Sequence, residues 1–94
     1  MRDYELVMVL SPELDEATTT GTIGRVTQFI SERGGALVKQ DNWGLRRLAY
    51  PIRKYREGNY VLTHFSIDPK HAQELESSLR VNASVIRHLL VLRD

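Results

Sequence analysis

The sequence contains no cysteine. Disulfide bonds, thiolate nucleophiles and cysteine-bound zinc are therefore excluded as parts of its structure or chemistry. No apolar run approaches the roughly 20 residues that a membrane-spanning helix needs. Charged residues at Arg2, Asp3 and Glu5 break up the first residues of the chain, so they do not form the apolar segment of a signal peptide. We therefore expect a soluble protein of the cytoplasm.

The chain also has almost no excess charge of either sign. It holds 13 basic and 12 acidic residues, a formal net charge of +1, which argues against a strong nucleic-acid binder that acts through its total charge. The charges are unevenly placed, however. Residues 1–16 hold one base and five acids, whereas residues 39–56 hold six bases and one acid. The second segment is either an anion-binding patch or an ordinary solvated strand and turn.

The length and composition are those of one small folded domain. With 94 residues the chain is large enough for one modest core and too short for two. Its 41% apolar and 27% charged residues exclude the composition typical of a disordered chain. We therefore expect a single domain that spans residues 1–94.

The first third of the chain changes from a period of two to a helical period. Apolar side chains occupy every second position from Tyr4 to Leu10, which predicts a strand there. Asp15 is a suitable N-cap, and we expect a helix from that residue to about Arg33, where two glycines end it.

The remainder predicts three further strands and a second helix. In order, we expect a long strand over residues 36–50 bent at Gly44, a charged turn over 52–58, a strand over 59–67, a helix from Asp68-Pro69 to about Asn82, and a strand over 85–92. The order β-α-β-β-α-β predicts an α+β fold, the ferredoxin-like split β-α-β sandwich.

This fold has a characteristic arrangement of layers. Two helices cover one face of a four-stranded antiparallel sheet, because each helix must bury its apolar stripe. The second and fourth strands then lie at the sheet edges. We expect the other face to lack a cover and to act as a docking surface, since its strands still carry apolar residues.

No enzyme motif is present. The sequence has no P-loop, no nucleotide-binding glycine fingerprint, no nucleophile elbow and no zinc-protease motif. Its histidines, His64, His71 and His88, lie on separate predicted elements without the spacing of metal ligands. We therefore expect no catalytic residue, no metal and no cofactor.

Basic and aromatic residues interleave between positions 43 and 56. They are Trp43, Arg46, Arg47, Tyr50, Arg53, Lys54, Tyr55 and Arg56. The planar arginine side chain donates two hydrogen bonds to a phosphate at once. Aromatic rings stack on unpaired bases, each stack contributing about 1–3 kcal/mol. This combination favours the interpretation of the segment as an RNA-binding surface over its interpretation as an ordinary solvated strand and turn.

Residues 43–52, with the sequence WGLRRLAYPI, resemble the signature of the bacterial small-subunit ribosomal protein six family. Residues 2–5 resemble the family's opening, and residues 82–92 resemble its last strand, so the similarity covers essentially the whole chain. The resemblance implies the ferredoxin-like fold and a structural ribosomal protein. It also implies binding to the central domain of the small-subunit ribosomal RNA, as a heterodimer with ribosomal protein eighteen.

The resemblance and the charge pattern together predict eight RNA-contacting residues. Those carried over from the family are Arg2, Tyr4, Arg46, Arg47 and Arg87, and those added from charge alone are Arg53, Lys54 and Arg56. We expect the arginines to hold phosphates and the outer edge of the second strand to receive the protein partner. A structural role for the arginine pair, bracing the long strand, is the alternative.

Two other functions remain open at this point. One is a ferredoxin-like domain that senses a small molecule and forms homodimers through its sheet. The other is a small hydrolase, which the missing catalytic residues disfavour. Co-purification with small ribosomal subunits would support the ribosomal interpretation, whereas a free homodimer would support the sensor.

Overall fold

The computed structural model describes residues 1–93 and has the predicted element order. Its elements are β1 (Arg2–Leu10), α1 (Glu16–Glu32), β2 (Ala36–Ile52), β3 (Tyr55–Ile67), α2 (Pro69–Arg80) and β4 (Val85–Leu92). The strands form one antiparallel sheet in the order β2-β3-β1-β4. The ferredoxin-like fold is therefore confirmed, with β2 and β4 at the two edges.

The main core lies between the helices and one face of the sheet. The buried side chains that build it are Tyr4, Leu6, Met8, Leu10, Val61, Phe65 and Ile67 from the sheet and Val26, Ile30, Ala72, Leu75 and Leu79 from the helices. The β1 members are the alternate residues that the period of two predicted. Each large apolar side chain buried here contributes roughly 1.5–3 kcal/mol.

Both helices begin at the predicted aspartates. The Asp15 carboxylate accepts a hydrogen bond from the Thr18 amide at 2.7 Å, and Asp68 accepts one from the Lys70 amide at 3.1 Å. Hydrogen bonds from Thr18 hold the pKa of Asp15 below its ordinary value. These contacts satisfy amide groups that the first helical turn leaves without partners. In the threonine-rich start of α1, Thr22 is buried, and its hydroxyl donates to the Thr18 carbonyl at 2.9 Å.

The β2–β3 hairpin is longer than the sequence pattern indicated. The predicted turn over residues 52–58 is wrong, because the strands continue until only Arg53 and Lys54 form the turn. Arg53 has a φ of 57°, the left-handed conformation that such a tight reversal uses. The charged strand residues resembled a turn because this end of the hairpin is largely exposed and needs no regular apolar alternation.

The face of the sheet opposite the helices, called the open face below, is partly covered. Val9, Leu48 and Ile86 form a second buried cluster there, with Ile52, Tyr55 and Tyr60 packed against it. Leu48 and Ile86 belong to opposite edge strands, which in a flat sheet are about 14 Å apart. The end of the β2–β3 hairpin therefore curls over the open face. The expectation of a wholly uncovered face is wrong at this end.

Candidate nucleic-acid interface

The end of the hairpin concentrates positive charge on the surface. Residues 46–56, called the basic arm below, contain five cations and no acid, and all five cations are exposed. They are Arg46, Arg47, Arg53, Lys54 and Arg56. Within residues 1–93, none of the five forms an ion pair with a carboxylate. Their charges therefore face solvent without internal compensation.

The adjacent arginines Arg46 and Arg47 point to opposite sides of β2. Arg46 pairs across the hairpin with Gly58 and Arg47 with Glu57, and neighbouring strand residues alternate between faces. The Arg46 Nε donates a hydrogen bond to the Trp43 carbonyl at 3.3 Å. The pair therefore presents donors on both surfaces of the arm instead of forming one clamp.

The tip of the arm carries the remaining cations. The Lys54 Nζ lies 5.9 Å from the centroid of the Tyr55 ring, and the Tyr55 hydroxyl donates to the Glu13 carboxylate at 2.9 Å. This hydrogen bond ties the tip to the loop after β1. Within residues 1–93, Glu13 forms no ion pair with the neighbouring cations of the arm.

Arg87 joins the arm from the far edge of the sheet. Its Nη1 donates to the Tyr50 hydroxyl at 2.9 Å, and its guanidinium carbon lies 5.8 Å from the Tyr50 ring centroid. Tyr50 belongs to β2 and Arg87 to β4, so this contact, called the latch below, connects the curled arm to the opposite edge of the sheet across the open face. It places a sixth exposed cation beside the five of the arm.

Two predicted RNA-contacting residues lie elsewhere. Arg2 is at the opposite end of β1, about 27 Å along the strand from Leu10, which borders the arm. Tyr4 is only 9% exposed and stacks on Phe65 with ring centroids 5.9 Å apart. Its burial argues against base contact by its ring. Neither residue belongs to the basic arm, and RNA contact by either of them stays a prediction.

An aromatic pair that the sequence pattern did not predict lies on the open face. Trp43 stacks on Tyr60, with ring centroids 6.2 Å apart and planes 15° from parallel. The signal available in the sequence was Gly44, whose predicted bend is confirmed by a φ of 74° and a register shift after Asn42. Such a bulge places an extra residue on one face of a strand, and here that residue is Trp43.

The described part of the chain offers neither a metal site nor a membrane-spanning helix. No group of three or more His, Asp or Glu side chains there is placed to hold a metal ion. Among these residues, no helix is both long and apolar enough to span a bilayer.

Comparison with known proteins identifies the family. The family model for ribosomal protein S6 matches residues 3–92. The small ribosomal subunit protein bS6 of Moorella thermoacetica is 47% identical over 90 residues, which cover 96% of this chain and 92% of that protein. The bS6 protein of Caldanaerobacter subterraneus subsp. tengcongensis is 46% identical over 94 residues, covering 100% and 99% respectively. The chain belongs to the ribosomal protein S6 family.

A solved structure from this family has the same architecture. The crystal structure of 30S ribosomal protein S6 from Thermotoga maritima superposes with a TM-score of 0.92 at 34% identity, covering 98% of this chain and 87% of that one. The ribosomal protein S6 family consists of structural proteins and not of enzymes. The interpretations as a small-molecule sensor or a hydrolase are therefore set aside.

The latch between Tyr50 and Arg87 gives a first prediction for this member of the S6 family. Tyr50→Phe removes the hydroxyl that accepts from Arg87, and we expect the free energy of unfolding to fall by about 0.5–1 kcal/mol. Urea denaturation measures this change. Tyr60→Phe is the matched control, because its hydroxyl has no hydrogen-bond partner within residues 1–93. Equal stability of the two variants would show that the latch contributes nothing.

Proposed function

We propose that the chain binds the central domain of the small-subunit ribosomal RNA together with ribosomal protein eighteen, as one half of a heterodimer. As a member of the ribosomal protein S6 family, it is a protein of the small ribosomal subunit and hence of the cytoplasm. The observation that carries the proposal is the basic arm, with its five exposed cations free of ion pairs within residues 1–93.

The geometry of the arm suits phosphates better than base edges. Its arginines lie on both sides of one hairpin and at its tip, so they are too widely spread to read one base pair. Phosphate contacts of this kind set the position and orientation of a protein on a folded RNA. The RNA-binding residues that we propose are Arg46, Arg47, Arg53, Lys54, Arg56 and Arg87.

The free edge of β2 is the proposed docking site for ribosomal protein eighteen. No strand of the described chain pairs with this edge, and an edge with open backbone groups is suited to receive another chain. Leu37 and Val38 near its start are 41% and 59% exposed. These apolar side chains would be buried by a partner that lies along the edge.

The small net charge makes the partner necessary for tight RNA binding. A chain with a net charge of +1 attracts a polyanion weakly at long range, whereas a basic partner adds phosphate contacts. We expect ribosomal protein eighteen to raise the affinity for a central-domain RNA fragment by about 5- to 150-fold, the usual range of coupling between two ligands. Titrations of labelled RNA with and without the partner, at several salt concentrations, measure this effect.

The variant Val38→Lys separates the partner site from the RNA site. The added charge disfavours docking of another chain on the edge of β2, so we expect ribosomal protein eighteen to raise the affinity for RNA by less. RNA binding by the lone protein should not fall, because Val38 lies outside the basic arm. Tight binding by the lone protein, unchanged on adding ribosomal protein eighteen, would contradict the proposal.

A further inference from the structure

Trp43 is held in a fixed orientation at the sheet edge. The extra residue of the bulge is set by Gly44, whose amide donates to the Asn42 side chain at 2.9 Å. The Trp43 carbonyl accepts from the Arg46 guanidinium, and the ring stacks on Tyr60. Backbone and ring are thus both restrained, which lowers the entropy lost when a ligand stacks on the indole.

One face of this indole has no neighbouring strand beside it. Tyr60 lies on β3 and covers the face of the ring that points into the sheet. Since β2 is an edge strand, no strand of residues 1–93 lies on the other side. The side chain is accordingly 44% exposed, unusually high for a tryptophan in regular structure. The indole therefore forms the outer end of an aromatic stack that one further ring can extend.

The positive charge of Arg46 beside the indole indicates which kind of ring would stack on it. Arg46 lies on the same face of β2 three positions further along, and it begins the basic arm. Its hydrogen bond to Trp43 uses only Nε, and its two terminal nitrogens have no partner among the described residues. A flat ring beside a free guanidinium complements a nucleotide, whose base stacks while its phosphate accepts from the arginine.

We propose that Trp43 is a stacking platform for one unpaired base of RNA, with Arg46 holding the phosphate of that nucleotide. This inference rests on the proposed RNA binding and adds a preference that the basic arm alone does not have. Bases inside a duplex are stacked on each other and cannot reach the indole. The chain therefore distinguishes single-stranded from fully paired RNA at this position.

Trp43 is the only tryptophan of the chain, so its own fluorescence reports the contact. The probes are a short oligoadenylate and the same strand paired with its oligouridylate complement, both at low salt. We expect the single strand to quench the fluorescence and the duplex to leave it nearly unchanged. Anisotropy of the labelled RNAs measures association independently.

Substitutions at the platform give a second measurement. Trp43→Leu should weaken binding of the single strand about 5- to 150-fold, the usual effect of removing one base–aromatic stack, with little change in binding of the duplex. Trp43→Phe should recover part of the loss because a smaller ring remains. Leu45→Ala is the matched control, since it removes a similarly exposed apolar side chain from the other face of β2.

The two proposals fail in different ways. If a central-domain RNA fragment does not associate, with or without ribosomal protein eighteen, the proposed RNA binding is wrong. If that fragment binds while the oligoadenylate does not, the platform is wrong and the RNA binding stands. If both RNAs associate but quench the indole equally, or if Trp43→Leu weakens both alike, the platform is wrong while RNA binding stands. Quenching by ribosomal protein eighteen and not by RNA would assign the indole to the protein partner instead.

Discussion

Replacing Arg46 and Arg47 together with alanine is expected to weaken RNA binding by the proposed complex with ribosomal protein eighteen on the order of a hundredfold. Each hydrogen bond to a charged group contributes roughly 1.5 kcal/mol or more, so the loss of two such bonds corresponds to about 3 kcal/mol. Losing two phosphate contacts should also reduce the slope of log affinity against log salt by about 1.5. Filter binding or anisotropy over a range of salt concentrations measures both quantities.

The same double variant should fold almost normally. Both side chains are exposed and neither forms an ion pair within residues 1–93, so the change in stability should stay within about 0.5 kcal/mol. Arg25→Ala with Lys70→Ala is the charge-matched control, because it removes two cations from the helices. A sharp fall in melting temperature with unchanged RNA affinity would instead make the arginine pair a structural brace of β2.

Gly58→Ala is expected to produce the largest loss of stability among the variants considered, about 1–3 kcal/mol. A Cβ at this position would meet the Val9 Cγ1 at 2.4 Å and the Leu10 carbonyl oxygen at 3.1 Å. Both neighbours are buried, so the strands must separate or the second cluster must repack. Because that cluster holds the arm against β1 and β4, RNA affinity should fall as well.

The matched control for this substitution lies in α1. A Cβ at Gly24 meets no atom within 4 Å, and alanine favours a helix over glycine by about 0.5–1 kcal/mol. Gly24→Ala should therefore raise the free energy of unfolding while Gly58→Ala lowers it, as urea denaturation of the two variants measures. Equal stability of Gly58→Ala and the unchanged protein would mean that the second cluster repacks around the added methyl group without loss of stability.

Local patterns in the sequence were sufficient for most of the fold. The alternation from Tyr4 to Leu10 predicted β1 correctly because one face of that strand lies against the helices. Asp15 and Asp68 predicted both helix starts, since N-capping depends only on residues two or three positions away. Gly44 predicted the bend of β2 because few other residues adopt a positive φ at low cost.

The candidate site was predicted only in part. The charge pattern placed the cations of residues 46–56 in one segment, and the structure shows them exposed on one hairpin. The resemblance also nominated Tyr4, whose burial no local pattern of charge could reveal. Whether the nominated residues contact RNA stays a prediction that the variants above test.

What the sequence by itself determined is the set of elements, their order and the position of the charged segment, because these depend on contacts within a few residues. The tertiary structure decided that the hairpin curls, that Leu48 and Ile86 join one buried cluster, and that Tyr50 meets Arg87 across the open face. Those residues are distant along the chain and lie on opposite edges of the sheet. Their contact depends on the coiling of the whole sheet, which no short stretch of sequence specifies.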